Sequence, residues 1–195
     1  SVGGKAVMTS PLHERATDRS AEALVEIEKQ LGEKVDIIVM VQGDEPLVTP
    51  TMISDSLTPF RSDPTVQVAN LVGEIDSIED FEDPNEVKVV IDQKSDAIYF
   101  SREAIPSRRK GVSDVPMLKQ VCIIPFRRDF LLEFNDTPET TLEKIESVDM
   151  MRIIETGGSV RMVKTAEKNC SVDTETDLRK AEVMMNDDKL RGQYS

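Results

Sequence analysis

The chain has 195 residues, 38% of them apolar, enough for one compact domain with a full core. Its formal charge of −13 argues against a binder of nucleic acid or anionic membrane, because the net field repels phosphate backbones. No run approaches the roughly 20 apolar residues of a membrane-spanning helix. Ser1-Val2-Gly3-Gly4 does not open a signal peptide, and two cysteines with one histidine make neither a disulfide framework nor a zinc cluster, so a cytoplasmic protein with reduced thiols is expected.

In chain order, Lys5–Thr9 reads as a short strand. Asp18–Leu31 reads as a helix, with Ala21, Leu24, Val25, Ile27 and Leu31 near helical spacing and Gly32 placed to end it. Val35–Gln42 is an apolar run of strand length, expected to be fully buried. Pro50–Phe60 reads as a helix with proline in its first turn and Met52, Ile53 and Leu57 inward. Gln67–Ile75 is extended. Glu86–Ile91 and Ala97–Ser101, separated by the turn-rich Asp92-Gln-Lys-Ser-Asp96, form a hairpin, and Leu118–Phe126 is a further strand. Arg127–Phe134, Ser147–Glu155 and Glu175–Asp187 read as helices, Ser159–Thr165 as the last strand, and Asn186–Ser195 as a frayed tail. This alternation predicts a single three-layer α/β domain over 1–195, with a mostly parallel sheet and one antiparallel excursion in the middle.

In such folds ligands bind beyond the carboxyl ends of the strands, where Gly43, Asp44 and Glu45 fall. An acid after a strand ordinarily makes a turn or caps the next helix. Here Pro46 fixes the backbone behind the acids, and a second carboxylate group, Ser171-Val-Asp-Thr-Glu-Thr-Asp177, opens the last helix. Two oxygen-donor corners of one sheet can converge on Mg²⁺, a hard cation that takes carboxylate, water and phosphate oxygens. The competing role for Asp173 is an N-cap. Glu45, adjacent to Asp44 at a strand end, points the other way and reads as structural.

The segments Val41-Gln-Gly-Asp-Glu-Pro46, Asp83–Pro106 (DPNEVKVVIDQKSDAIYFSREAIP) and Ser171–Leu178 (SVDTETDL), in this order and spacing, resemble the CMP-Kdo synthetase (3-deoxy-manno-octulosonate cytidylyltransferase) family, as does Met8–Ala23. The resemblance implies a nucleotide-diphospho-sugar transferase, Rossmann-like fold. It implies Mg²⁺-dependent transfer of CMP from CTP to the anomeric hydroxyl of a 3-deoxy-2-ulosonic sugar acid, releasing pyrophosphate and supplying a lipopolysaccharide or surface-glycan precursor. By the same resemblance Asp44 and Asp173 are the metal-binding, catalytic aspartates. Arg15, Thr17, Arg19 and Gln42 lie on the nucleotide side, and Arg102, Lys119, Gln120 and Asp149 on the sugar side. Residues 86–126 resemble the family's dimerisation element, which implies a homodimer.

The sugar carries a carboxylate, so an acidic protein needs local positive charge to hold it, and arginine offers a planar fork suited to that group. Arg102 follows a strand and matches the family's sugar-facing arginine, whereas Arg108, Arg109 and Lys110 read as a solvated loop. The chain departs from the family where sugar identity is read: Lys119-Gln120 and Ile124 stand where many members have Arg-His and Tyr, and Asp149-Met150 stands for Glu-Gln. An unmatched buried polar group costs roughly 1–3 kcal/mol, so these changes leave the sugar open among a related 3-deoxy-2-ulosonic acid, an amino-substituted Kdo and a nonulosonic acid. Arg15-Ala16-Thr17 replaces a common Ser-Gly-Thr on the nucleotide side. Nothing in Ser1–Ser20 resembles the family's triphosphate-binding loop, so an N-terminally truncated domain of doubtful activity is expected. A non-catalytic, dimeric sugar-acid or partner-binding protein on the same scaffold is the alternative. His13 has no partner for triad chemistry nearby in sequence, and Met150, Met151, Met184 and Met185 read as core or interface filler.

Overall fold

The computed structural model describes residues 4–112, 114–188 and 190, so most of the predicted tail lies outside the described residues. The elements run α1 (Ala16–Leu31), β1 (Ile37–Val41), α2 (Pro50–Ser56), α3 (Thr58–Ser62), β2 (Ala69–Glu74), α4 (Ile78–Glu82), β3 (Lys88–Ile91), β4 (Ala97–Ser101), β5 (Leu118–Val121), β6 (Ile123–Arg127), α5 (Arg128–Asp136), α6 (Thr141–Glu146), α7 (Met150–Glu155), β7 (Arg161–Lys164) and α8 (Glu175–Asn186).

One long extended stretch, broken at Cys122 into β5 and β6, organises the sheets. β5 runs antiparallel to both β2 and β3, while β6 runs antiparallel to β1 and meets the end of β2 through the Val68–Phe126 bridge. The five-stranded order is β4-β3-β5-β2-β7, with β2 and β7 parallel and β3 and β4 a hairpin. The α/β class predicted from the alternation holds, with a mixed sheet in which antiparallel pairing reaches further than the one hairpin. The reason is that the chain returns from the hairpin as Leu118–Arg127, inserts beside β2 and pairs with strands on both flanks.

The core follows from which faces are apolar. Phe126, Leu131, Phe134, Phe100, Met150 and Met151 are buried together, with the Phe126 and Phe134 rings 6.2 Å apart. Each such side chain contributes on the order of 1.5–3 kcal/mol of transfer free energy. Met150 and Met151 therefore belong to the core, as predicted, whereas Met185 is partly exposed. Beneath them Arg152 and Glu143, both buried, form a double-bonded ion pair (2.7 and 2.6 Å), and the guanidinium stacks 4.2 Å from the Phe134 ring. This pair fixes α7 to α6.

Four sequence expectations change. Lys5–Thr9 forms no strand, and Met8 is 91% exposed, since a five-residue run without a neighbour has nothing to pair with. β1 is not fully buried: among the described strands it pairs only with β6, and only Met40 of its five residues is enclosed. α1 buries Thr17, Ala21 and Leu24, leaving Ile27 and Leu31 partly exposed, and Gly32 in the left-handed conformation (φ 75°) closes it as predicted. The helix predicted over Pro50–Phe60 breaks at Leu57 and restarts at Thr58, with Pro59, whose ring removes a backbone donor, in its first turn.

Candidate active site

The carboxyl ends of β1 and β6-facing loops open onto a hollow of about 350 Å³. Val35–Val41 delivers Gln42 and Asp44 to it, because β1 ends at Val41 and the Gln42 amide still donates to the Cys122 carbonyl oxygen (3.2 Å), aiming the following turn across the sheet end. The second acidic loop arrives from β7 through Ser171–Asp173. The two loops are joined by backbone: Val172 N–H donates to the Asp44 carbonyl oxygen at 2.9 Å. Glu45, adjacent to Asp44, turns inward instead and accepts from the Cys122 amide (3.0 Å) and the Ser171 hydroxyl (3.2 Å) through one oxygen. Burial pushes its carboxyl above the ordinary glutamate value. Its structural role matches the sequence expectation.

Asp44 and Asp173 both line the hollow. Asp173 is not the cap of α8: that task falls to Thr174, whose hydroxyl accepts from the Asp177 amide (3.2 Å), with Asp177 completing a capping box. Asp173 is thereby left free, and its carboxyl is pushed above the ordinary value by burial first and by the Asp44 charge second, with Arg102 opposing the rise. Asp44 Oδ1 is buried without any hydrogen-bond partner. An orphaned carboxylate oxygen beside a second carboxylate suits a hard cation. Among the described residues no cluster of three His, Cys, Asp or Glu forms a ligand cage. A metal here would therefore complete its shell with water and substrate oxygens, as Mg²⁺ commonly does.

Arg102 lines the same hollow, and its charge reaches Asp173. Its Nε donates to the Glu146 carbonyl oxygen (2.8 Å), its Nη1 to the Pro84 carbonyl oxygen (2.9 Å), and its amide to the Glu146 carboxylate (2.9 Å). Gln120 lines the same hollow and donates to Asn70 Oδ1 (2.6 Å). Lys119 does not share that face: adjacent strand residues point to opposite sides, and its ammonium pairs with Glu86 (2.9 Å) beside Glu74, Asp80 and Glu167. Lys119 thus lines a different pocket from Gln120, while its partner Glu86 lines the hollow.

The nucleotide-side and sugar-side groups are not separate clusters. Thr17, fully buried at the start of α1, donates to Asp149 Oδ2 (2.8 Å), and Arg15 lies 3.5 Å from Asp149 Oδ1 and donates to Ser147 Oγ (3.2 Å). Burial pushes the Asp149 carboxyl up, partly offset by the Thr17 bond and the Arg15 charge. Arg15 and Asp149 line the hollow, while Thr17 supports Asp149 from behind. Arg19 faces away, tying down the preceding loop through Thr9 Oγ1, the Ser10 carbonyl oxygen and the His13 carbonyl oxygen. His13 itself bonds Glu22. Arg109 and Lys110 are exposed, as the solvated-loop reading expects. Cys122 borders the hollow, and burial pushes its thiol well up, away from reactive thiolate.

The lining residues not singled out from the sequence include Asn85, Glu86 and Ser147. The first two sit in Asp83-Pro-Asn-Glu86, a turn whose Asp-Pro-Asn composition marks a loop at the sheet end. Ser147 adopts the left-handed conformation (φ 54°) that ends α6, a signal that sequence patterning does not carry.

A mixed α/β sheet whose end gathers two carboxylate loops, two glutamines and two arginines around one polar hollow defines a nucleotidyltransferase-type protein. The chain belongs to the cytidylyltransferase family, whose model matches residues 1–169. It is 40% identical over 188 residues to the 3-deoxy-manno-octulosonate cytidylyltransferase of Geobacter metallireducens, covering 91% of this chain and 72% of that protein. It is 38% identical over 179 residues to the enzyme of the same name from Synechococcus elongatus, covering 92% and 71%. A solved structure of CMP:2-keto-3-deoxy-manno-octonic acid synthetase complexed with CTP superposes with a TM-score of 0.83 at 36% identity, covering 95% of this chain and 73% of that one.

Proposed function

We propose that this protein acts in the transfer of CMP from CTP to the anomeric hydroxyl of Kdo or a close 3-deoxy-2-ulosonic acid, with release of pyrophosphate. The observation that carries the reading is the joined pair of acidic loops, with the orphaned Asp44 oxygen and the free Asp173 in one hollow. The two relatives and the CTP-complexed neighbour carry names of this activity.

The reaction is an in-line displacement at the α-phosphorus, in which positioning and charge neutralisation outweigh covalent chemistry. Asp44 and Asp173 would hold Mg²⁺, which when bound neutralises the phosphate and lowers the pKa of the sugar hydroxyl. Gln42 lines the hollow and would contact the nucleotide. Arg102, fixed in place by Glu146 and Pro84, presents its charge to the sugar carboxylate. Gln120 offers an amide to a sugar hydroxyl, and Arg15, held to Asp149, closes the wall next to α1. Asp149 and Thr17 act as one bonded unit, so Asp149 reads the ligand only through the oxygen that Thr17 leaves.

Pairing of two copies through residues 86–126 belongs to the same reading. It is supported by β4, which ends the sheet and turns Ile98 outward at 53% exposure. The decisive assay is pyrophosphate release from CTP and Mg²⁺ with Kdo, with an amino-substituted Kdo and with a nonulosonic acid as parallel acceptors. Release with one acceptor supports the reading and names the sugar; CTP turnover with none, alongside binding of a sugar acid alone, contradicts it.

A further inference from the structure

Lys88 is fully enclosed in β3, at 0% exposure, although an ammonium is expensive to bury. Its three protons are all used, and on main-chain oxygens: it donates to the carbonyls of Asp83 (2.7 Å), Glu86 (2.6 Å) and Arg102 (2.6 Å). None of its bonded partners is a carboxylate, and burial pushes its amine below the ordinary lysine value. A core position needs only volume, so an ammonium kept there serves the oxygens that it holds.

Those oxygens belong to two segments that wall the hollow. Asn85 and Glu86 line it from the turn before β3, and Arg102 lines it from the end of β4. Without a cation between them, three inward carbonyls would converge with no donor, and each buried group left so costs free energy. Glu146 holds Arg102 from the opposite side, its carboxylate accepting from the Tyr99 hydroxyl (3.0 Å), the Ser101 hydroxyl (3.1 Å) and the Arg102 amide.

We propose that Lys88 is a positioning residue for the sugar-acid end of the hollow: its ammonium ties the Asp83–Glu86 turn to the end of β4 and so sets where Arg102 presents its guanidinium. The proposal rests on the cytidylyltransferase reading for the identity of the ligand, and on the clamp alone for its structural part.

The test compares the unaltered chain with Lys88→Met, which keeps the length and apolar stem and removes charge and donors. Calorimetric titration with Kdo is expected to show affinity lower by tenfold or more, while affinity for CTP changes less than twofold. Amide exchange at Arg102 is expected to quicken at least tenfold. An equal loss for both ligands, or no loss for Kdo, overturns the proposal, since a general loss of order would not choose one end of the hollow. If the unaltered chain binds no Kdo, the substrate reading fails, and the exchange rate at Arg102 alone decides the clamp. If Lys88→Met does not fold, the Lys88 ammonium resonance of the unaltered chain is followed instead. A shift on adding Kdo but not CTP supports the coupling, and no shift with Kdo overturns it.

Discussion

Val172 donates its backbone N–H to the carbonyl oxygen of Asp44 at 2.9 Å, so a main-chain bond joins the two acidic loops of this protein. A main-chain bond is indifferent to side-chain identity. It therefore holds the carboxylates of Asp44 and Asp173 at one hollow while leaving both free for a ligand. Glu45 adds a second tie, from beneath, to Cys122 and Ser171.

Glu45→Ala is expected to lose about 1–3 kcal/mol of stability in urea unfolding, because the Cys122 amide is left without an acceptor. Glu45→Gln keeps an oxygen in place and relieves the burial of charge, so its loss is expected to be smaller. Equal losses for both variants would show that the bond to Cys122 contributes little.

Asp173 and Thr174 are expected to separate cleanly. Thr174→Ala removes the cap of α8 and is expected to cost about 1 kcal/mol in thermal unfolding. Asp173→Asn is expected to leave stability unchanged or slightly improved, since burial and the nearby Asp44 charge disfavour its ionised form. A loss on Asp173→Asn as large as that on Thr174→Ala would return Asp173 to a capping role.

Breaking one side of the Arg152–Glu143 pair is expected to be severe. Arg152→Met leaves Glu143 charged at 0% exposure, with an expected loss of about 3–5 kcal/mol. Because the pair joins α6 to α7, the wall from Ser147 to Met150 is expected to loosen with it, read as faster amide exchange there. A variant as stable as the unaltered chain would mean that the pair is not what anchors these helices.

The bidentate contact between Arg128 and Glu28 (2.7 and 2.8 Å) ties α1 to α5 and has a sign on the pH axis. The Arg128 guanidinium lowers the Glu28 carboxyl from 4.5 to about 2. The folded state thus binds this proton less readily than the unfolded chain. The stabilisation is present in full above pH 4.5 and is lost as the pH falls toward about 2. Glu28→Gln is expected to flatten the acid limb of stability between those values and leave the slope near neutrality unchanged. An acid limb unaltered by the substitution would assign the contact no energetic weight.

How much of this was legible in the residues follows from physical range. Asp44 and Asp173 stand out because strand ends and helix starts are local patterns, and a sheet brings such ends to one side. The resemblance groups Lys119 with Gln120, whereas the two-residue period of a strand sends them to different pockets; the same period separates Asp44 from Glu45. α6 was overlooked although Thr140 and Glu143 spell a capping box, and Ser77 with Asp80 marks α4 in a similar way. The break at Cys122 and the return of Leu118–Arg127 between other strands are not local at all. They depend on partners drawn from Ile37–Val41 and Ala69–Glu74, and no pattern within the stretch announces them.

The divalent site proposed between Asp44 and Asp173 is tested most directly by titrating Mn²⁺, in place of Mg²⁺, into the chain with CTP present and following the free ion by electron paramagnetic resonance. One ion is expected to bind the unaltered chain, with affinity at least about tenfold lower in Asp44→Asn and in Asp173→Asn, both remaining folded by circular dichroism. Mn²⁺ bound equally well by all three would contradict a metal held between these two aspartates.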